Sequence, residues 1–313
     1  MKKIICIVTV ILAMVGMQSC QNSEEGLWGT TASTESNLKA ASAEIISNSV
    51  EETCTQDIHS LCLEKYDGFG DAIRISDGIL GGMGHRKFRM PHLSDCATIT
   101  VSDTVYPKEI VIDYGTGCTD HHNHTISGII IINISDSLTH EGAVRTVESQ
   151  DLFIDSLKVE LNARFENKGL NEDNHWVTDG KSDLVLSLDD STILTKENKY
   201  STEWISGFTT VSKMDDIFYR SGLGTIIIND TLAYSYTITT PLLFDRSCRY
   251  ILSGVVELYK DGSTVIIDYG DGTCDNIATV TANGTTEDIN LDSHAYCEHG
   301  NHGKHHHNMG FRN

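Results

Sequence analysis

This sequence predicts a mainly β (α+β) fold: an antiparallel meander forming a β-sandwich or open barrel, with a short N-terminal helical segment. Three observations lead there. From Cys96 to Leu291, short apolar or alternating runs follow one another, separated by Asn-Gly, Asp-Gly and Asn-Asp turn signals. Only three prolines occur in 313 residues, so hairpin turns rather than proline-rich loops join long strands. One pattern also occurs twice, Ile112-Asp113-Tyr114-Gly115-Thr116-Gly117-Cys118 and Ile267-Asp268-Tyr269-Gly270-Asp271-Gly272-Thr273-Cys274. Each copy is an apolar strand entering a glycine turn and then a cysteine, with Cys96 or Cys248 upstream.

The chain divides by composition into a lipoprotein signal peptide (1–19), a tether (20–33), a helical and glycine-rich region (34–93), an antiparallel β domain (94–292) and a histidine-rich tail (293–313). Lys2-Lys3 precede a largely apolar run from Ile4 to Val15, too short to span a bilayer and so read as a cleaved signal. Met17-Gln18-Ser19-Cys20 then resembles a bacterial lipobox, which makes Cys20 the lipidated first residue; Met17 and Gln18 depart from the commonest pattern. Gln21 to Glu25 resembles the outer-membrane and surface-export signals of Bacteroidota lipoproteins, and also reads as a plain acidic linker.

Beyond the tether, Leu38, Ala41, Ile45, Ile46 and Val50 recur at helical spacing, with Thr34 or Ser36 as cap, predicting a helix that ends near Thr53. Cys54 to Cys62 is read as a loop closed by a Cys54–Cys62 disulfide; His59 with Cys62 as a metal pair is the sharper alternative. Gly78 to Lys87 has phosphate-loop glycines, but no Ser or Thr follows Lys87 and Pro91 comes soon after, so it reads as a surface loop.

In the β domain, Thr125 to Ile134 contains four consecutive isoleucines, the mark of a strand buried on both faces. Strands follow near 143–151, 156–166, 182–188, 192–205, 223–229 and 232–240. Turns are expected at Asn167-Lys168-Gly169, Asp179-Gly180, Asp189-Asp190 and Asn229-Asp230, and the hairpin through Asn283-Gly284 closes the core.

Register arithmetic ties the cysteines to the hairpins. A two-residue turn at Asp261-Gly262 pairs residues whose numbers sum to 523, and Cys248 and Cys274 sum to 522, so one bulge or a three-residue loop brings them together. Cys96 and Cys118 centre their hairpin on Pro107, a residue suited to a turn. Of nine cysteines, Cys6 leaves with the signal and Cys20 carries lipid; the two hairpin bridges then leave Cys54, Cys62 and Cys297, an odd number.

Cys96, Tyr106-Pro107-Lys108, the Ile112–Thr119 motif, Gly128 leading an apolar strand, Cys248 to Gly254 and Asp268 to Val280 together resemble a group of uncharacterised Bacteroidota lipoproteins. The resemblance covers residues 96–291 and implies an address and a fold, with no activity. The histidine-rich tail departs from it.

Composition narrows the function classes. Removing residues 1–19 takes two lysines and no acid, moving the formal charge from -21 to -23, which repels phosphate backbones and anionic headgroups. Nucleic acid is excluded as a partner, membrane attachment falls to the lipid on Cys20, and a protein or glycan partner is left open. Two histidine clusters carry chemical potential: His121, His122 and His124 after Cys118, and His294, Cys297, His299, His302, His305, His306 and His307 in the tail. Neutral imidazoles and a thiolate bind divalent zinc, copper or nickel.

No residue is assigned a catalytic role. His-Glu-x-x-His and Gly-x-Ser-x-Gly are absent, and Ser36 to Lys39 lacks the companions of a Ser-x-x-Lys enzyme. Asp113 and Asp268, equivalent in the two repeats, would suit glycoside hydrolysis across one cleft, but capping of their glycine turns explains them better, and Asp268, Asp271 and Asp275 do not match the calcium loop. The leading expectation is a lipid-anchored structural or binding module of the cell envelope, at the outer membrane or cell surface. The alternatives are a metal-binding lipoprotein and, last, a carbohydrate-active enzyme, which the three tryptophans Trp28, Trp176 and Trp204 support poorly.

Overall fold

The computed structural model of the chain describes residues 32–66, 97–102, 105–119, 125–188, 192–210 and 212–291. Within them one helix, α1 (Ala32–Tyr66), precedes fourteen strands: β1 (Thr98–Val101), β2 (Lys108–Asp113), β3 (Cys118–Thr119), β4 (Thr125–Ile134), β5 (Val144–Ile154), β6 (Leu157–Leu170) and β7 (Trp176–Ser187). The second half adds β8 (Ile193–Ser206), β9 (Ile217–Ile228), β10 (Leu232–Asp245), β11 (Ser253–Lys260), β12 (Ser263–Asp271), β13 (Ile277–Ala282) and β14 (Thr285–Asn290). All pairings are antiparallel and follow chain order, except that β2 and the two-residue β3 both pair with β4. The sheet is therefore a meander, and its end strands β1 and β14 are not hydrogen-bonded to each other. The expected fold class holds, in its open form.

The turn chemistry is local. Asp261-Gly262 and Asn283-Gly284 join β11–β12 and β13–β14 through two residues at positive φ, 49° and 85° in the first and 53° and 79° in the second, the pattern of type I′ turns. Lys260 pairs Ser263 as the arithmetic required, and one register shift falls between Ser253 and Val255. Cys248 and Cys274 are bridged, with Cα atoms 5.8 Å apart. The first hairpin pairs Thr98 with Asp113, so its centre lies between Val105 and Tyr106, just ahead of the expected Pro107.

Four local expectations are corrected. Asn167-Lys168-Gly169 is a bulge inside β6, not a turn, because Leu170 still pairs Trp176 beyond it. Asp179-Gly180 lies in the middle of β7, where Gly180 opposes Tyr200. The isoleucine run of β4 buries Ile130, Ile132 and Ile134 on its inner face, while Ile129 and Ile131 are only half-buried. Lastly, α1 starts before Thr34 and Ser36 and runs 35 residues, straight through the expected loop. No Gly or Pro occurs in Ala32–Tyr66 to break it. Cys54 and Cys62 consequently lie about 12 Å apart along the helix, beyond the reach of a disulfide, and no bridge joins them.

Helix α1 is enclosed rather than laid on a surface. Ile46 and Val50 on one side, Glu44, Glu51 and Thr55 on the next and Ala41 beyond them are all at most 2% exposed, so burial extends around more than one side of the helix axis. It packs against β7, β9, β12 and β13. In a flat sheet β7 and β13 would be about 29 Å apart, against a helix width of about 10–12 Å. The sheet therefore curls around α1, and helix and strands share one apolar core.

Glycines make the room. A Cβ at Gly180 would lie 2.6 Å from the Tyr200 ring, and one at Gly222 would lie 2.7 Å from Tyr200 Cβ, so Tyr200 on β8 lies across bare backbone on both neighbouring strands. Gly224 is tighter still, since its Cβ would sit 2.1 Å from the Glu197 carbonyl oxygen and 2.7 Å from the Tyr236 ring. Gly224→Ala is expected to cost about 3 kcal/mol, the upper end of ordinary overpacking, because the clash is with backbone. Urea denaturation of the two proteins measures it, and an unchanged midpoint would contradict the described spacing of β8 and β9.

Candidate functional site

Helical spacing puts Glu44, Asn48, Glu51, Glu52 and Thr55 on one stripe of α1, where an ordinary buried helix would carry apolar residues. Strand spacing supplies the opposing groups. Along β8 the inward positions are Leu194, Lys196, Asn198, Tyr200, Thr202 and Trp204, apolar at the two ends and polar between. Ser182 on β7, Arg220 on β9, Tyr236 on β10 and Tyr269 on β12 face the same interior.

These groups meet as one network. Lys196 Nζ, fully buried, lies 2.9 Å from Glu44 Oε2, donates to Asn48 Oδ1 at 2.6 Å and sits 4.9 Å from the centre of the Tyr236 ring. Glu52 pairs with Arg220, and Arg246 Nη1 approaches its other oxygen at 3.7 Å. Glu51 has neutral partners: Asn198 Nδ2 donates to it at 2.7 Å, and Ser182 Oγ lies 2.7 Å from both Glu51 Oε1 and Asn198 Oδ1, its single proton serving one of them at a time. The Arg220 guanidinium also lies over the Tyr200 ring at 4.3 Å and the Phe244 ring at 5.1 Å.

The electrostatics follow from burial. Loss of water alone would lower the Arg220 guanidinium, but Glu52, then Tyr200 and Glu51, hold it above its ordinary value. Burial, then Glu51, pushes the Tyr200 phenol well above its ordinary value. Burial with Glu44 raises both Tyr236 and Tyr269. The phenols therefore stay neutral, and each fixed charge is set by what it touches.

A second polar cluster sits at the end of the sheet where β6, β7 and β8 meet. His175 Nδ1 and Asn171 Nδ2 lie 2.8 and 2.9 Å from Glu203 Oε1, while Asn171 Oδ1 accepts from the His175 and Asp173 amides. Behind it, Trp176 stacks on Phe208 at 4.9 Å, Trp204 packs on Phe208 and Phe218, and Phe218 stacks on Phe244 at 4.7 Å. Trp176 and Trp204 pair across β7 and β8, but the carbohydrate reading called for an aromatic-lined groove, and Trp204 and Phe208, 5% and 4% exposed, line the core instead.

Of the residues singled out in the sequence, Cys248 and Cys274 form the expected disulfide. Cys118 is also disulfide-bonded, and its expected partner Cys96 lies outside the described residues. Cys20, His121, His122, His124, His294, Cys297, His299, His302, His305, His306 and His307 lie outside them as well, as does the glycine-rich stretch 78–87. Among the described residues no three His, Cys, Asp or Glu side chains converge as a metal site. The repeated aspartates cap their turns: Asp113 Oδ1 accepts from the Gly115 amide at 2.7 Å and Asp268 Oδ1 from the Gly270 amide at 2.9 Å. Asp271 and Asp275 do the same for Thr273 and Ile277.

The interior network was missed in the sequence, although β8 carried a signal. Its residues from Lys196 to Glu203 are polar on both alternating faces, which a strand over an apolar core does not tolerate. No family model, no curated protein and no solved structure matches this chain.

Lys196→Met leaves Glu44 buried without its cation and is expected to cost about 3–5 kcal/mol, while adding Glu44→Leu recovers most of the loss, a double-mutant cycle read by urea denaturation. Glu203 provides a pH test. Its carboxyl is held below the ordinary range by hydrogen bonds, from His175 first and Asn171 second. A depressed carboxyl contributes stability that is complete above its unfolded value, about 4.3, and lost as pH falls through the folded one. The melting-temperature difference between wild type and Glu203→Gln should be constant above about pH 5 and shrink below about pH 4.

Proposed function

We propose that this is an exported, lipid-anchored cell-envelope protein, held at the outer membrane or cell surface through Cys20, whose β domain serves as a structural or binding module and not as a catalyst. The observation that carries the reading is the buried polar network between α1 and the sheet. The buried acids and bases suited to proton transfer are held against one another or against neutral donors, so their chemistry goes into holding the helix. The address is supported by Lys2-Lys3, the apolar run that follows and Cys20. It is supported too by the Cys248–Cys274 bridge, since structural disulfides belong to oxidising compartments.

Labelling with radioactive palmitate, followed by detergent-phase partition, tests the anchor. The wild-type chain is expected to take up label and enter the detergent phase, whereas Cys20→Ala loses both properties. A Cys20→Ala chain that still carries label, or a wild type that never does, removes the lipid anchor from the reading.

A further inference from the structure

The outer face of the sheet carries its charges in an order that the sheet's own stability disfavours. Arg164 on β6, Lys181 on β7 and Lys199 on β8 are exposed and lie directly opposite one another. Two residues to one side, Asp183 is opposite Glu197; two residues to the other, Glu166 is opposite Asp179. Every directly opposed charged pair in this patch is a like pair, and such pairs weaken a sheet where opposite charges would strengthen it. Opposite charges are neighbours only along a strand or on a diagonal, at about 7 Å. Arg164 finds Glu166 at 3.0 Å, but Lys181, Lys199, Asp183 and Glu197 make no ion pair or hydrogen bond among the described residues. The face therefore presents bands of one sign across the strands, negative, positive and negative, and the middle of the pattern is left without partners.

We propose that this face docks a second copy of the chain, about a two-fold axis parallel to the bands and midway between the lysines and the band of Asp183 and Glu197. Such an axis lays β7 over β7 of the second copy and β8 over its β8, with strand direction reversed. Lys181 then faces Asp183 of the second copy, Lys199 faces its Glu197, and the symmetry repeats both contacts. Leu223, 56% exposed beside Lys199, meets Thr225 of the second copy. Elsewhere on the strip Asp179 faces Val185 and Glu203 faces Ile193, so no like charges meet. Other placements of the axis do worse. Along the lysine band it stacks like on like, and between Lys181 and Asp179 it sets Glu197 against Glu203. The curl around α1 makes the outer face convex and confines contact to a few strands, which suits a match built on β7 and β8. The formal charge of -21 opposes association at long range, but physiological salt screens it beyond about 8 Å, and the matched bands act at contact.

The test is sedimentation velocity on the mature chain carrying Cys20→Ala, which excludes shared micelles, at about 0.15 M salt. This chain is expected to dimerise at about 100 µM, the weak range of a small interface. Lys181→Glu with Lys199→Glu makes both bands negative, and Asp183→Lys with Glu197→Lys makes both positive. Each variant, verified as folded by circular dichroism, is expected to sediment as a monomer, and an equimolar mixture of the two to dimerise. Net charge alone predicts otherwise, since the second variant is less negative than wild type and should associate better. A chain with unaltered bands that stays monomeric to about 500 µM overturns the proposal whether or not the variants fold. So does a dimer that survives in either variant, or a mixture of folded variants that stays monomeric.

Discussion

The structure depends on burying three carboxylates of one helix inside a β-sheet. Glu44, Glu51 and Glu52 are buried, and each would cost several kcal/mol if left alone. They are tolerable only because β7, β8 and β9 present a serine, a lysine, an asparagine and an arginine at inward positions whose height along the strands matches the helical rise. Apolar packing alone would let α1 slide or rotate within its enclosure. Charges paired at fixed points leave it one register and one rotation, since a shift of one residue would part every pair at once.

That constraint explains features of the sheet that look wasteful in isolation. Gly180, Gly222 and Gly224 weaken the strands they occupy, because a bare backbone packs nothing and costs more entropy to order. They are placed where Tyr200 and Tyr236 must lie flat against the wall, leaving space for the helix while their rings cover Arg220 and Lys196. The tyrosines are thus both the lining of the enclosure and the apolar walls of its ion pairs. A smaller lining would let water reach the charges, and a bulkier one would exclude the helix.

The same economy decided what could be read in advance. The meander was legible because hairpins are local: Asp261-Gly262 and Asn283-Gly284 carry their turn geometry in two residues, and the Cys248–Cys274 bridge follows from counting. Asn167-Lys168-Gly169 and Asp179-Gly180 carry the same composition for other reasons, a bulge in one case and clearance for Tyr200 in the other. Both reasons reside in a neighbouring strand and leave no local trace. The length of α1 was hidden by its composition. A helix wrapped by a sheet needs no amphipathic stripe, so the periodicity that found Leu38 to Val50 fades beyond it although the helix continues. The polar interior of β8 was visible, but its meaning required the acids of a segment about 150 residues earlier in the chain.

That distance also orders the assembly. Nearly every strand pairs with the next one along the chain, so the sheet assembles through short loops whose entropy cost is small. The hydrogen bonds of α1 to β7, β8 and β9 alone join residues 131 to 168 positions apart, and its contacts with β12 and β13 reach farther. Loop entropy therefore favours hairpins first and the α1 contacts last. Until the helix arrives, Lys196 and Arg220 face an interior with no counter-charge, and a sheet in that state has every reason to stay open enough to admit water. Arrival of Glu44 and Glu52 removes that reason. Helix α1 is in this sense the piece that converts a row of hairpins into one core.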